Sequence, residues 1–190
     1  FIQARGGDIV RKEGSTDLFQ LKYNFRHDAL RFSFKAFSYS KALTKDLSNF
    51  SHLCWIDADV IAQASFSTDA LKPALPIGAT IASYLGRTAF PPDHPYSECG
   101  FVCFNLNQPI SLEFIKQFID AYTSGKLFLE AQWHDCVLFD SLRRKYEALG
   151  YNFHNISGEH HAKEHPFIES HLGNFFDHLK GPARKARGYS

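Results

Sequence analysis

The sequence predicts an α/β protein with a mixed β-sheet flanked by helices, folded as a single domain over residues 1–190. Short apolar runs of strand length alternate along the chain with longer segments whose apolar residues recur every three or four positions. The chain has 190 residues, which is enough to bury a substantial core without disulfides or metals.

The strongest helical pattern lies between residues 28 and 45. Leu30, Phe34 and Phe37 follow the spacing of one helical face, widened by Phe32 and Ala36, which we expect to point inward. Asp28 stands where an N-cap is needed, because its side chain can accept a hydrogen bond from the first turn.

The remaining elements follow from apolar runs and from turn-forming residues. The predicted strands are 19–23, 52–56, 80–85 and 101–106, and the predicted helices are 111–122 and 132–149. We expect 52–56 to be a buried strand, and the apolar run resumes at residues 60 and 61.

Residues 151–171 are rich in His and in turn formers, and we expect a long loop that contacts the acceptor. His161 and His165 match the H-x-x-E-H pattern of inverted zinc proteases, which requires both side chains on one helix. Pro166 disfavours a helical conformation at His165, so we reject the protease interpretation.

Net charge, hydropathy and cysteine spacing indicate which kinds of partner and which cellular compartment to expect. The formal net charge is +1, so no overall positive field points to nucleic acid. No apolar run approaches the ~20 residues of a membrane span, which favours a cytoplasmic location. The four cysteines have no C-x-x-C spacing and lie among apolar residues, so we expect buried thiols in a reducing compartment: Cys54, Cys99, Cys103 and Cys136.

Two acidic residues follow the predicted strand 52–56. Asp57 and Asp59 are one residue apart, so an extended backbone would point both carboxylates to the same face. Carboxylates that close repel each other and need a cation or protons. Mg²⁺ and Mn²⁺ prefer oxygen ligands and often complete their shell with phosphate oxygens, so this pair predicts a metal-bound diphosphate.

Several segments, in order along the chain, resemble one enzyme family. The run Trp-Ile-Asp-Ala-Asp-Val at 55–60 is similar to the DxD segment of GT-A glycosyltransferases. The predicted helix around 31–35 is similar to the helix that precedes the DxD strand in those enzymes. Segment 97–105 resembles their later segment, in which a turn of small residues enters a strand that lines the acceptor side. Segment 132–135 resembles the acidic segment that begins the helix beneath the sugar. Segment 178–185 resembles the C-terminal HxxGxxK motif of glycosyltransferase family 8, the glycogenin-like enzymes.

The resemblance implies a GT-A, Rossmann-like fold and a set of site residues. Asp57, Asp59 and His178 would bind the metal, and an imidazole ligand favours Mn²⁺ over Mg²⁺. The donor phosphates and sugar would be contacted by Arg31, Lys35, Lys180, Gly181, Arg184 and Lys185. Three residues are candidates for catalysis: Asp135 as general base or sugar ligand, Glu98 at the acceptor or sugar, and His134 near the sugar's reactive face.

Two features depart from the family pattern. Arg184-Lys185-Ala186 replaces the usual Lys-Pro-Trp of the C-terminal motif. The N-terminal nucleotide-binding strand is not recognisable before residue 28, which implies either a compact variant or a chain that lacks part of that half.

We therefore expect a metal-dependent transferase that moves a hexose from a nucleotide diphosphate sugar to the hydroxyl of a saccharide or other acceptor. The resemblance implies a UDP-sugar donor and retention of configuration. Two alternatives remain. One is a non-catalytic sugar- or nucleotide-binding module on a GT-A-like fold. The other is a metal-dependent nucleotidyltransferase or phosphohydrolase, for which no glycine-rich phosphate loop is present near the N-terminus.

Overall fold

The computed structural model describes residues 7–11, 18–87, 96–158 and 165–179, with side chains from residue 24 onward. These residues group into two compact units. One lies within Phe1–Leu47 and Glu113–Leu142, and the other within Ser48–Leu112 and Arg143–Ser190. The single domain expected over residues 1–190 stays a prediction.

The first unit begins with two antiparallel strands, β1 (Gly7–Arg11) and β2 (Leu18–Tyr23), of which β2 was predicted. Helix α1 (Ala29–Ala42) follows. The Asp28 carboxylate accepts a hydrogen bond from the Arg31 amide at 3.1 Å, which confirms the predicted N-cap.

The predicted inward face of α1 is right for Ala36, which is buried, and wrong for Phe34 and Phe37, which are 66% and 52% exposed. Tyr39, which was not placed on that face, is also buried. The buried face therefore lies on the side of Ala36 and Tyr39. The small side chain of Ala36 allows close helix packing there.

Two longer helices, α2 (Pro109–Thr123) and α3 (Asp135–Ala148), each run through both units. Within the first unit the rings of Phe114 and Phe139 pack edge to face with centroids 5.6 Å apart. The rings of Tyr39 and Phe118 pack likewise at 6.0 Å, so aromatic contacts hold α1, α2 and α3 around one core.

The second unit contains a four-stranded sheet. Its strands are β3 (His52–Ile56), β5 (Thr80–Leu85), β6 (Glu98–Asn105) and β7 (Asn152–Asn155), in the spatial order β3-β6-β5-β7. Strand β6 pairs antiparallel with both β3 and β5, and β5 pairs parallel with β7. The predicted α/β class with a mixed sheet is thereby confirmed.

Strand β3 is not the buried strand that its apolar sequence predicted. It ends the sheet among the described residues, and both Cys54 and Ile56 are exposed. Strand β6 is buried along its whole length and supplies Phe101 and Cys103 to the core of this unit.

A second, smaller sheet completes this unit. Strand β4 (Val60–Ala62) pairs antiparallel with β8 (Phe176–His178). The short helix α4 (Pro166–Glu169) precedes β8 and buries Phe167 in the same core. The small sheet brings a strand from the end of the described chain beside the residues that follow β3.

The expectation of a continuous loop over 151–171 is wrong, because β7 and α4 both lie in that range. His165 has an extended backbone (φ −102°, ψ 103°), as Pro166 predicted. His161 lies outside the described residues.

A disulfide joins Cys54 of β3 to Cys103 of β6, so the expectation of four buried thiols is wrong for these two. They are directly opposite each other in the strand pairing, with Cα atoms 4.0 Å apart. Cys99 and Cys136 remain thiols. The cytoplasmic location stays a prediction, without the support that thiols were expected to give it.

Within the described part of the chain, every helix is too short or too polar to cross a bilayer.

Candidate metal centre

The turn between β3 and β4 carries the two acidic residues. The Asp57 amide donates a hydrogen bond to the Gly100 carbonyl at 3.0 Å, and the Val60 amide donates to the Asp57 carbonyl at 3.1 Å. Asp57 and Asp59 therefore sit in a tight turn, not in the extended segment that was expected. Their side chains are 25% and 34% exposed, which leaves both carboxylates accessible.

Strand β8 brings His178 to the same turn. Its Cα pairs with that of Val60, and the following amide, from Leu179, donates to the Asp59 carbonyl at 2.8 Å. The Nε2 atom of His178 lies 3.0 Å from Oδ1 of Asp59 and 3.6 Å from Oδ2 of Asp57. His178 thus approaches both acidic residues although it lies more than a hundred positions after them in the sequence.

The distances from His178 to each of the two carboxylates are close to those between ligands of a divalent cation. In an octahedral ion with metal–oxygen bonds of about 2.1 Å, neighbouring ligand atoms are about 3.0 Å apart. The Nε2–Oδ1 and Nε2–Oδ2 separations of 3.0 and 3.6 Å are close to that spacing. Two carboxylates and one imidazole are donors that Mn²⁺ accepts, so the donor chemistry agrees with the geometry.

Trp55 orients one of the carboxylates. Trp55 precedes Asp57 by two residues, so the two side chains lie on the same side of the chain. The Nε1 atom of Trp55 donates a hydrogen bond to Oδ1 of Asp57 at 2.6 Å. This leaves Oδ2 of Asp57 facing His178. A ligand whose second oxygen is already hydrogen-bonded is held in one rotamer, which reduces the entropy lost on metal binding.

A third carboxylate lies behind His178. Glu98 is only 4% exposed and belongs to β6, not to a turn as its sequence context suggested. Its Oε1 accepts from the Gly100 amide at 3.1 Å and lies 4.0 Å from Nδ1 of His178. Its Oε2 accepts from Nη2 of Arg87 at 3.2 Å.

The absence of a side chain at Gly100 makes this arrangement possible. A Cβ atom built on Gly100 would lie 2.8 Å from Nδ1 of His178 and 3.1 Å from Oε1 of Glu98. His178 is fully buried, so its ring has no free space into which to move. The residue at position 100 must therefore be glycine for the imidazole to approach β6 this closely.

The charges of this cluster favour a cation. Ligand atoms of Asp57, Glu98 and His178 all lie within 4.8 Å of one another. The Arg87 guanidinium compensates Glu98, with which it forms an ion pair at 3.2 Å. Asp57 and Asp59 both face a single imidazole, and carboxylates that converge in this way attract a cation.

A separate polar cluster lies in the first unit. Lys35 of α1 and Asp135 at the start of α3 form a buried ion pair, each side chain being 7% exposed. The other oxygen of Asp135, Oδ1, accepts from the Cys136 amide at 3.0 Å, as acids at helix starts commonly do.

The remaining predicted site residues lie in the first unit or outside the described residues. His134 is 3% exposed, packs against the rings of Phe25 and Phe32, and its Nε2 lies 3.0 Å from Oε1 of Gln132. Arg31 is exposed, with its guanidinium 5.7 Å from the Phe32 ring centroid. Four predicted donor-binding residues lie outside the described residues: Lys180, Gly181, Arg184 and Lys185.

Sequence reasoning missed three residues of the metal cluster. Trp55 had a detectable signal, since an indole two residues before an acid shares its face in a strand. Gly100 had a weaker one, as a glycine inside an apolar strand often marks a close approach. Arg87 had none, because its contact with Glu98 depends on how β5 and β6 pair.

Comparison with known proteins gives a distant structural likeness. No protein-family model matches the chain, and no curated protein matches it. The chain is similar to the crystal structure of a glycosyltransferase involved in the glycosylation of the major capsid of PBCV-1, with 15% sequence identity and a TM-score of 0.47. The similarity covers 90% of this chain and 80% of that one. So distant a likeness leaves function to be inferred from the site residues.

Proposed function

We propose that this protein is a metal-dependent glycosyltransferase that moves a hexose from a nucleotide diphosphate sugar to an acceptor hydroxyl. One observation carries the proposal: the Asp57 and Asp59 carboxylates lie 3.6 and 3.0 Å from Nε2 of His178, close to the spacing of neighbouring ligands of an ion. The sequence resemblance to glycosyltransferase family 8 supports a UDP-sugar donor, a saccharide or other hydroxyl acceptor, and Mn²⁺ or Mg²⁺ as the cofactor.

The protein's part in the reaction is to hold the cation and to keep its ligands fixed. The bound cation would offset the negative charge that develops on the leaving diphosphate. Asp57 and Asp59 supply the charge and His178 supplies the neutral third ligand. Trp55 keeps Asp57 in the binding rotamer through its 2.6 Å hydrogen bond.

Lys35 and Asp135 belong to the first unit and take no part in this proposal. Because the Asp135 carboxylate is paired with the Lys35 ammonium and both side chains are buried, its charge is already compensated. A role for Asp135 at the donor sugar or as general base stays a prediction.

The test measures release of nucleoside diphosphate from UDP- and GDP-sugars with Mn²⁺, in the presence of a panel of saccharide acceptors. Since a metal supplies several kcal/mol of charge stabilisation, Asp57→Asn and Asp59→Asn should each reduce the rate by about 100-fold or more. Asp69→Asn is the matched control, because the Asp69 side chain is 76% exposed and pairs only with the equally exposed Lys72 among the contacts described.

The outcomes separate this function from its two alternatives. Metal-dependent binding of nucleotide sugar without any release of diphosphate would support a non-catalytic binding module. Transfer of a nucleotidyl group, seen as release of pyrophosphate from a nucleoside triphosphate, would support a nucleotidyltransferase. Full activity of the Asp57→Asn and Asp59→Asn variants would contradict the proposal.

A further inference from the structure

We infer that Glu98 is a positioning residue that prepares His178 for metal binding, a role that rests on the proposed function. Glu98 would act through the imidazole without contacting metal or substrate itself. Three features of the second unit support this role: the contacts that hold Glu98, its place beside Nδ1 of His178, and its burial.

Glu98 is held rigidly. Gly100 and Arg87 each donate to a different oxygen of its carboxylate, at 3.1 and 3.2 Å. Both Glu98 and Gly100 belong to β6, which is buried and paired on both sides. A carboxylate fixed by two donors cannot turn toward the solvent or follow a substrate.

The field of this carboxylate acts on the nearer imidazole nitrogen. Oε1 of Glu98 lies 4.0 Å from Nδ1 of the fully buried His178, a distance too long for a hydrogen bond but short for a buried charge. Without a cation, the Asp59 and Asp57 carboxylates at 3.0 and 3.6 Å favour a proton on Nε2, which donates to Oδ1 of Asp59. A cation held on Nε2 requires the ring to carry its proton on Nδ1 instead, and the Glu98 carboxylate stabilises the proton there.

The burial of Glu98 argues against direct contact between its carboxylate and the substrate. Glu98 is 4% exposed, whereas the side chains of Asp57 and Asp59 are 25% and 34% exposed. A metal held on Nε2 has Asp57 and Asp59 beside it, while Glu98 faces the other ring nitrogen. The carboxylate is therefore arranged to tune the third ligand, as carboxylates behind metal-binding histidines commonly do.

The test is a double-mutant cycle on affinity for Mn²⁺ alone, measured from the electron paramagnetic resonance of free Mn²⁺. Four proteins are compared: wild type, Glu98→Gln, His178→Ala and the double variant. Loss of an outer carboxylate typically weakens metal binding by about 10-fold or more, so we expect that loss for Glu98→Gln in the wild-type background. We expect no further loss in the His178→Ala background, because the effect passes through His178.

Glu169→Gln serves as the matched control, since Glu169 is an exposed glutamate of the same unit. It should leave Mn²⁺ affinity unchanged. Removing Glu98 leaves Arg87 without its partner carboxylate, which lowers stability, so thermal unfolding of each variant is recorded beside its affinity. Should Glu98→Gln not fold, Arg87→Met replaces it in the same cycle, because Arg87 holds Glu98 in place.

The results distinguish failure of the inference from failure of the proposed function. Equal losses in both backgrounds would overturn the inference, since Glu98 would then act independently of His178. No loss in either background would also overturn it. If wild type does not bind Mn²⁺, or if His178→Ala binds it as tightly as wild type, then the proposed metal site fails and the inference fails with it.

Discussion

Gly100 is the residue whose replacement would disturb the proposed site with the smallest chemical change. A methyl group there would lie 2.8 Å from Nδ1 of His178, so the imidazole would have to leave its position. Changes to residues that orient metal ligands typically weaken metal binding by about 10-fold or more. We expect at least that loss of Mn²⁺ affinity in Gly100→Ala, measured by calorimetric titration.

Gly78→Ala is the control for that variant. Gly78 has φ of 58°, so alanine strains the backbone there, but its added Cβ meets no atom within 4 Å. It should cost stability of about 1 kcal/mol and leave Mn²⁺ affinity intact. Unchanged affinity in Gly100→Ala would contradict the described placement of His178.

Trp55 provides a second test at the scale of single residues. Trp55→Phe keeps an aromatic ring but removes the hydrogen bond to Asp57. Because Asp57 would then sample other rotamers, we expect Mn²⁺ affinity to fall by about 10-fold. Trp133→Phe, in the other unit, should have no effect on calorimetrically measured affinity, and an equal loss in both variants would argue against a local role for Trp55.

The residues of the site were only partly predictable. Asp57, Asp59 and His178 were nominated from motifs, and the structure brings them together, while their role as ligands stays a prediction. The surroundings of these residues could not be predicted, because the contact of Glu98 with Arg87 and the approach of His178 to Gly100 depend on strand register. Register is fixed by pairing across distant parts of the chain, which a single sequence does not reveal.

At the scale of elements, the disulfide between β3 and β6 is a distinct source of stability. It closes a loop with a sequence separation of 49 between β3, which ends just before Asp57, and β6, which contains Gly100. In the chain-entropy model a loop of this size contributes about 4 kcal/mol. We expect dithiothreitol to lower the thermal midpoint of the wild type.

The matched control is Cys54→Ala/Cys103→Ala, which should unfold at the midpoint of the reduced wild type and show no further change with dithiothreitol. A wild-type midpoint that is insensitive to reduction, with the thiols shown to be accessible and reduced, would contradict a stabilising disulfide.

The ion pair of Lys35 and Asp135 joins α1 to α3 within the first unit. Lys35→Met would leave a buried carboxylate without its cation, which typically costs about 3–5 kcal/mol. We expect that loss in urea denaturation, and partial recovery in Lys35→Met/Asp135→Asn, because the second change removes the uncompensated charge. Lys41→Met is the control, since Lys41 is exposed on the same helix; a loss as large there would contradict the assignment.

Most elements were predictable, but their environments were less so. The predicted helix at 111–122 and the strand at 80–85 correspond closely to α2 and β5, because periodicity and turn residues agree there. Exposure was misjudged for β3 and for the Phe34 face of α1. An apolar side chain is compatible with burial without requiring it, so hydrophobicity alone does not say which face meets the core.

At the scale of the whole molecule, the α/β class with a mixed sheet followed from the alternation of elements. The division of the described residues into two compact units did not, because helices α2 and α3 each contribute to both units and no composition change marks the boundaries. The near-neutral charge of +1 is compatible with a small anionic substrate held by a local cation site.

The central claim is that a divalent cation at Asp57, Asp59 and His178 binds the diphosphate of a nucleotide. Its most direct test is calorimetric titration of the wild-type protein with UDP and with GDP, each with and without Mn²⁺. We expect one nucleotide to bind only when Mn²⁺ is present, and that nucleotide identifies the base of the donor. Binding that is equally tight without Mn²⁺, or no binding of either nucleotide to folded protein, would contradict the claim.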